Sequence, residues 1–112
     1  MACGLLVTVG LMGAAAFASG DEFGRKEAQR LTNLVRQDCG SCHGLTLKGG
    51  LGKPLTSEAL RQWDREQVAA IILNGVPGTP MPPWRSLLSE NEARWIADRL
   101  KRGELDQCGF FR

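Results

Sequence analysis

The sequence has no tyrosine, a single histidine and only three methionines among its 112 residues. Few of its side chains can therefore bind a metal through imidazole or thioether. Charge of one sign is also scarce in excess, with 14 Lys and Arg against 12 Asp and Glu and a formal net charge of +2. A dedicated nucleic-acid binder needs a stronger basic footprint. No stretch alternates apolar and polar residues with β-branched enrichment, which argues against a sheet. Internal repeats and low-complexity tracts are absent too. The length leaves no room for a second domain. What is present is a globular composition, 43% hydrophobic and 23% charged, which argues against wholesale disorder.

The first eighteen residues stand apart. Ala2 to Ala18 carry no charge, and Leu5, Leu6, Val7, Val9, Leu11 and Met12 form an apolar run. It ends in Ala16-Phe17-Ala18, a small-x-small pattern suited to signal-peptidase cleavage before Ser19. A basic n-region is missing, since the first cation is Arg25. The alternative is a retained anchor, for which a run shorter than ~20 residues broken by Gly4, Gly10 and Gly13 is weak. Residues 1–18 are thus expected to be a cleaved signal peptide, taking Met1, Cys3 and Met12 with them, and residues 19–112 a periplasmic domain.

That domain reads as all-α. Phe23, Ala28, Leu31, Leu34 and Val35 recur at helical spacing and predict an amphipathic helix from about Glu22 to Gln37. Asp64 with Gln67 forms a capping box for a second helix running to Leu73, where Asn74-Gly75 stops it. Ser89 with Glu92 forms another, and Ala93, Ile96, Ala97 and Leu100 line one face before Gly103. A short helical turn over Thr56–Arg61 is a further possibility. Leu34 or Val35 should pack against Ile96 or Leu100 where the terminal helices cross. Short helices give a small chain a thin core, so something else should fill its middle.

Residues 39–43 read Cys39-Gly40-Ser41-Cys42-His43, the C-x-x-C-H of c-type haem attachment. Two thiols three positions apart can each join one porphyrin vinyl group, and the adjacent imidazole then ligates the iron. Two rivals remain. A structural zinc site wants four ligands in spaced pairs, and the mature chain offers only these three and Cys108. A thioredoxin-like dithiol would need strands around the motif. For the far side of the iron, His43 is the only histidine, which excludes a second one from the same subunit. Met81 lies in Gly78-Thr79-Pro80-Met81-Pro82-Pro83-Trp84, where flanking prolines stiffen the backbone around a soft thioether ligand. The alternative for Met81 is an ordinary turn residue or core filler.

The order of N-terminal helix, C-x-x-C-H, proline loop, methionine in a proline loop and C-terminal helix resembles a class I cytochrome c. The run from Cys39 through Met81 to Ala93-Arg94-Trp95-Ile96 is similar to the NirC-type cytochromes (cytochrome c55X) of denitrifying bacteria. The resemblance implies three to four short helices wrapped around one covalent haem c. It implies that the Pro54 carbonyl accepts the ring N–H of the haem histidine, and that the Trp63 indole meets a haem propionate; ordinary core packing is the other reading of Trp63. Leu45, Leu47, Leu51, Leu55, Ile71 and Ile72 are candidates for the apolar haem wall. Cys108 has no evident role.

With both axial positions filled by His43 and Met81, the expected role is one-electron transfer and not catalysis. The NirC resemblance implies donation to cytochrome cd1 nitrite reductase during denitrification. The alternative is a maturation or assembly role for that reductase or its haem d1; a sensor in which Met81 detaches is a third. A monomer without nucleic-acid or membrane attachment after signal cleavage is expected. Lys48, Lys53, Arg61, Arg65 and Arg85 form either a basic rim that steers an acidic partner or a solvated face.

Overall fold

A computed structural model describes residues 23–106, and among these it contains helices and loops without a strand. The leader over 1–18, with Cys3, and the tail cysteine Cys108 lie outside the described residues. Helix α1 spans Arg25–Leu34 and continues without a break into a wider π-helical turn, Val35–Cys39, and then a last turn α2, Gly40–His43. Helices α3 (Arg65–Asn74) and α4 (Glu90–Lys101) complete the set. The first helix therefore runs on well past Gln37 and carries the whole C-x-x-C-H motif at its end.

Both capping boxes form. Asp64 Oδ1 accepts the Gln67 N–H at 2.7 Å while Gln67 Oε1 accepts the Asp64 N–H at 2.9 Å. Ser89 and Glu92 exchange the same pair of bonds at 3.1 and 2.6 Å. Each box satisfies amide donors that the first helical turn leaves open. Thr56–Arg61 does not make a helix. Only Leu60 N–H to Thr56 O has α-helical spacing, and the following bonds, Arg61 to Glu58 and Trp63 to Leu60, tighten to three residues. The Thr56 hydroxyl also takes the Ala59 amide at 3.3 Å, which favours a turn.

The core gathers Leu31 from α1, Val35 from the π-helical turn, Val68, Ala69, Ile72 and Leu73 from α3, and Ala93, Trp95, Ile96, Ala97 and Leu100 from α4. Val35, Ile96 and Leu100 belong to one buried cluster, with Leu34 at its edge, as the crossing of the terminal helices requires. Arg30 of α1 also reaches Glu92 of α4. Burial dominates that crossing: a fully buried Leu, Val or Ile contributes about 1.5–3 kcal/mol, whereas an ion pair with exposed members contributes about 0–1 kcal/mol. Thr32, the buried polar residue of α1, is satisfied by donating to Ala28 O at 2.7 Å.

Candidate functional site

The π-turn places the motif. Gly40 N–H bonds to Val35 O, five residues back, so one extra residue enters the turn. An α-helix advances about 100° per residue. The inserted residue therefore keeps Val35 in the core while swinging Cys39, Cys42 and His43 round to another side. Periodicity could not have revealed this, because the apolar spacing of α1 ends where the wide turn begins.

Cys39 and Cys42 are free thiols, one half-buried and the other exposed. Burial, helped by the nearby Asp38 and Cys42, pushes the Cys39 thiol up to about 11. A dithiol oxidoreductase needs the opposite, a thiolate stabilised near neutral pH. The absence of strands among the described residues removes the second support for that rival. The described residues hold no group of three or more His, Cys, Asp and Glu side chains placed to bind a metal ion; Cys108, the fourth ligand the zinc reading would need, lies outside them.

The loop after the motif closes back on it. Gly44, at φ +92°, turns the chain out of α2. Gly49 N–H then donates to His43 O at 2.8 Å and Gly52 N–H to Cys42 O at 2.7 Å, so loop amides cap the end of the helix. Gly52 lies flat against the imidazole: a Cβ there would sit 2.7 Å from both Cε1 and Nδ1 of His43. The ring N–H at Nδ1 donates to Lys53 O at 2.7 Å. The acceptor expected from the resemblance was Pro54, one residue later. Proline holds its predecessor in extended backbone, and it is this predecessor that presents its carbonyl to the ring. With Nδ1 committed, the Nε2 lone pair is left free to bind a metal.

Met81, half-buried, sits in a loop anchored on the far end of α3. The C-terminal carbonyls of that helix are taken by residues on either side of the loop: Gly75 N–H to Ile71 O at 2.8 Å, Trp84 N–H to Ile72 O at 3.1 Å and Arg85 N–H to Leu73 O at 3.2 Å. Gly75 adopts φ +66°, and a Cβ on it would lie 2.7 Å from Met81 O and from Pro82 C. Only glycine permits both the turn and the crossing.

Trp63 is 39% exposed, and its carbonyl accepts a bond from Lys101 Nζ, which also donates to Leu60 O at 3.1 Å. Lys101 thus ties the end of α4 to the Trp63 turn. In the sequence it reads only as a cation suited to a helix C-terminus. Of the proposed wall, Leu47 and Ile72 are buried, Leu55 and Ile71 half-buried, and Leu45 and Leu51 exposed at 79% and 96%. The expected basic rim divides. Lys48, Lys53 and Arg61 form no ion pair with a described residue, whereas Arg65 pairs with Glu66 at 3.1 Å and Arg85 with Glu90 at 3.6 Å.

An imidazole with one free nitrogen, two unpaired thiols one turn apart and a thioether on a stiffened loop form a donor set suited to covalent haem. The profile of the family described as "Cytochrome C oxidase, cbb3-type, subunit III" matches residues 26–98. Cytochrome c55X of Paracoccus denitrificans (strain Pd 1222) is 58% identical over 76 residues, 68% of this chain and 74% of that protein. A solved structure of "c-type cytochrome NirC" superposes with a TM-score of 0.72 at 53% identity, covering 74% of this chain and 98% of that one. A dihydro-heme d1 dehydrogenase of Pseudomonas aeruginosa is 37% identical over 60 residues, 54% of this chain and 12% of that protein.

Proposed function

This chain belongs to the c-type cytochrome family whose profile it matches and, within it, to the cytochrome c55X family, and we propose that it is a periplasmic monohaem electron donor to cytochrome cd1 nitrite reductase. Membership makes it an electron-transfer protein and not an enzyme, and implies covalently bound haem c. When bound, that haem supplies a one-electron Fe(III)/Fe(II) couple.

Each residue then has a task. Cys39 and Cys42 would hold the group through two thioethers, and His43 and Met81 would supply the nitrogen and sulfur ligands of its iron. The Lys53 carbonyl orients the His43 ring and strengthens its electron donation. Trp63 offers its indole N–H to a propionate. The rigid loops around both ligands keep them in place in both oxidation states. Residues 1–18 act as the cleaved export signal. Lys48, Lys53 and Arg61, which form no ion pair with a described residue, supply the attractive face for an acidic redox partner. The observation that carries the reading is the His43 ring, pinned through Nδ1 immediately after two free thiols at the end of one helix.

The test is stopped-flow oxidation of the reduced holoprotein by purified cytochrome cd1 nitrite reductase with nitrite present. Rapid oxidation that slows as salt is added supports the donor role. Oxidation too slow to support turnover, by protein with a normal haem spectrum, overturns it. The second reading, an assembly role in making haem d1, draws on the likeness to the dihydro-heme d1 dehydrogenase. It is favoured if a strain lacking this protein accumulates reductase without haem d1.

A further inference from the structure

Building on the reading of Met81 as an iron ligand, we propose that the Thr79 hydroxyl is the positioning group that holds the Met81 sulfur on the iron and keeps outside ligands away. The loop from Val76 to Met81 includes Pro77 and Pro80, which have no N–H to give. Three of its four other amides are turned inward. Val76 N–H donates to Met81 O at 3.2 Å, and Thr79 N–H donates to Val76 O at 3.2 Å. Met81 N–H donates to Thr79 Oγ1 at 3.3 Å, and that hydroxyl donates to Val76 O at 2.7 Å.

The hydroxyl therefore joins the two ends of the loop. It accepts from the residue that carries the sulfur and donates to the residue where the chain leaves α3. Prolines fix φ at their own positions but leave ψ free, so two stiff segments still need a cross-tie. The methionine side chain cannot provide it, because its three rotatable bonds let the sulfur wander unless the backbone is held. Thr79 is the polar side chain of this loop, and both of its hydrogen bonds are spent on the loop itself.

Valine matches threonine in shape but can neither accept from Met81 N–H nor donate to Val76 O. The Thr79→Val change should therefore raise the fraction of time the sulfur is away by roughly three- to tenfold, equivalent to about 0.7–1.4 kcal/mol and within what one intramolecular hydrogen bond typically contributes. The experiment uses ferric holoprotein of the wild type, Thr79→Val, Thr79→Ser and Met81→Ala. It measures the rate of imidazole binding, the sulfur-to-iron charge-transfer band and the urea unfolding midpoint.

We expect Thr79→Val to bind imidazole three to ten times faster than wild type and Thr79→Ser, which keeps the hydroxyl, to bind at close to the wild-type rate. Should Thr79→Val fail to yield holoprotein, Thr79→Ala carries the same expectation. A wild-type rate in Thr79→Val, with the band present in wild type and lost in Met81→Ala, overturns the inference while leaving Met81 as ligand. A lowered urea midpoint with unchanged imidazole binding does the same, since it marks a purely structural hydroxyl. A wild-type spectrum lacking the band, or a band that survives Met81→Ala, overturns both.

Discussion

The loops beside the two proposed ligands, His43 and Met81, solve the same problem in opposite ways. Each begins at the C-terminal end of a helix and uses its amides to occupy carbonyls that the helix leaves open. On the His43 side the ligand belongs to the helix, and the loop from Gly44 to Leu55 folds back to grip it. On the Met81 side the ligand belongs to the loop, and α3 serves only as the anchor. The imidazole is thus placed by helix register and trimmed by one carbonyl, whereas the thioether is placed by the internal bracing of a proline-rich segment. Damage to the first loop should alter how the ligand donates; damage to the second should decide whether the ligand is there at all.

The sharpest test of that division is Gly75→Ala. It combines a φ of +66° with a Cβ 2.7 Å from the backbone of Met81 and Pro82, and the backbone has little freedom to move aside. The expected cost is about 2–4 kcal/mol, from the left-handed conformation and the overpacking together. Ferric spectra should lose the sulfur-to-iron charge-transfer band while haem attachment persists.

Gly52→Ala comes next. The new Cβ meets a side-chain ring at 2.7 Å, and urea unfolding of the holoprotein should show a loss of about 1–3 kcal/mol. The charge-transfer band should survive. Turning the ring away from Lys53 O weakens the bond that makes imidazole a stronger donor, so voltammetry should show the reduction potential moving upward. If Gly52→Ala instead abolishes the band, the two loops are coupled and the division fails.

A third change should touch neither loop. Glu92→Ala removes one half of the α4 capping box and the partner of Arg30. Urea unfolding should show a loss of about 1 kcal/mol, with both band and potential unchanged.

The smallest effect concerns the ion pairs beside the exit of the Met81 loop, where Glu66, Asn74, Arg85, Glu90 and Arg94 line a shallow hollow. The bond from Arg94 holds the Glu66 carboxyl below its ordinary range. A lowered value in the folded state adds stability above the unfolded value and loses it as pH falls through the folded one. The melting temperature of Glu66→Gln should therefore lie slightly below wild type at pH 7, and the gap should narrow as pH falls below the ordinary carboxylate range.

Much of this arrangement was legible in the residues because it rests on local rules. Asp64 with Gln67 and Ser89 with Glu92 announce their helices through chemistry that spans three residues. The C-x-x-C-H motif and the proline-flanked Met81 are just as local. The parts that could not be read depend on where the backbone goes after a turn. Whether Lys53 or Pro54 faces the ring is decided by how Gly49 and Gly52 lay the loop over α2. Thr56–Arg61 had helix-compatible residues, but although Thr56 takes the Ala59 amide and Leu60 reaches the core, its hydrogen bonds tighten to three residues before a second α-helical turn forms. Lys101 found the Trp63 carbonyl from a distant part of the chain.

The wide turn at Val35–Cys39 has a consequence for how this chain can change. It works as a vernier between two scales. The segment before it is indexed to the hydrophobic interior and the segment after it to the metal-binding motif, with the offset fixed by a single inserted residue. Side chains of α1 are thereby free to exchange for others of like volume without disturbing the aim of the two thiols. The wide turn is the protected quantity: were the same residues wound as a uniform α-helix, Cys39, Cys42 and His43 would turn together by about 100°.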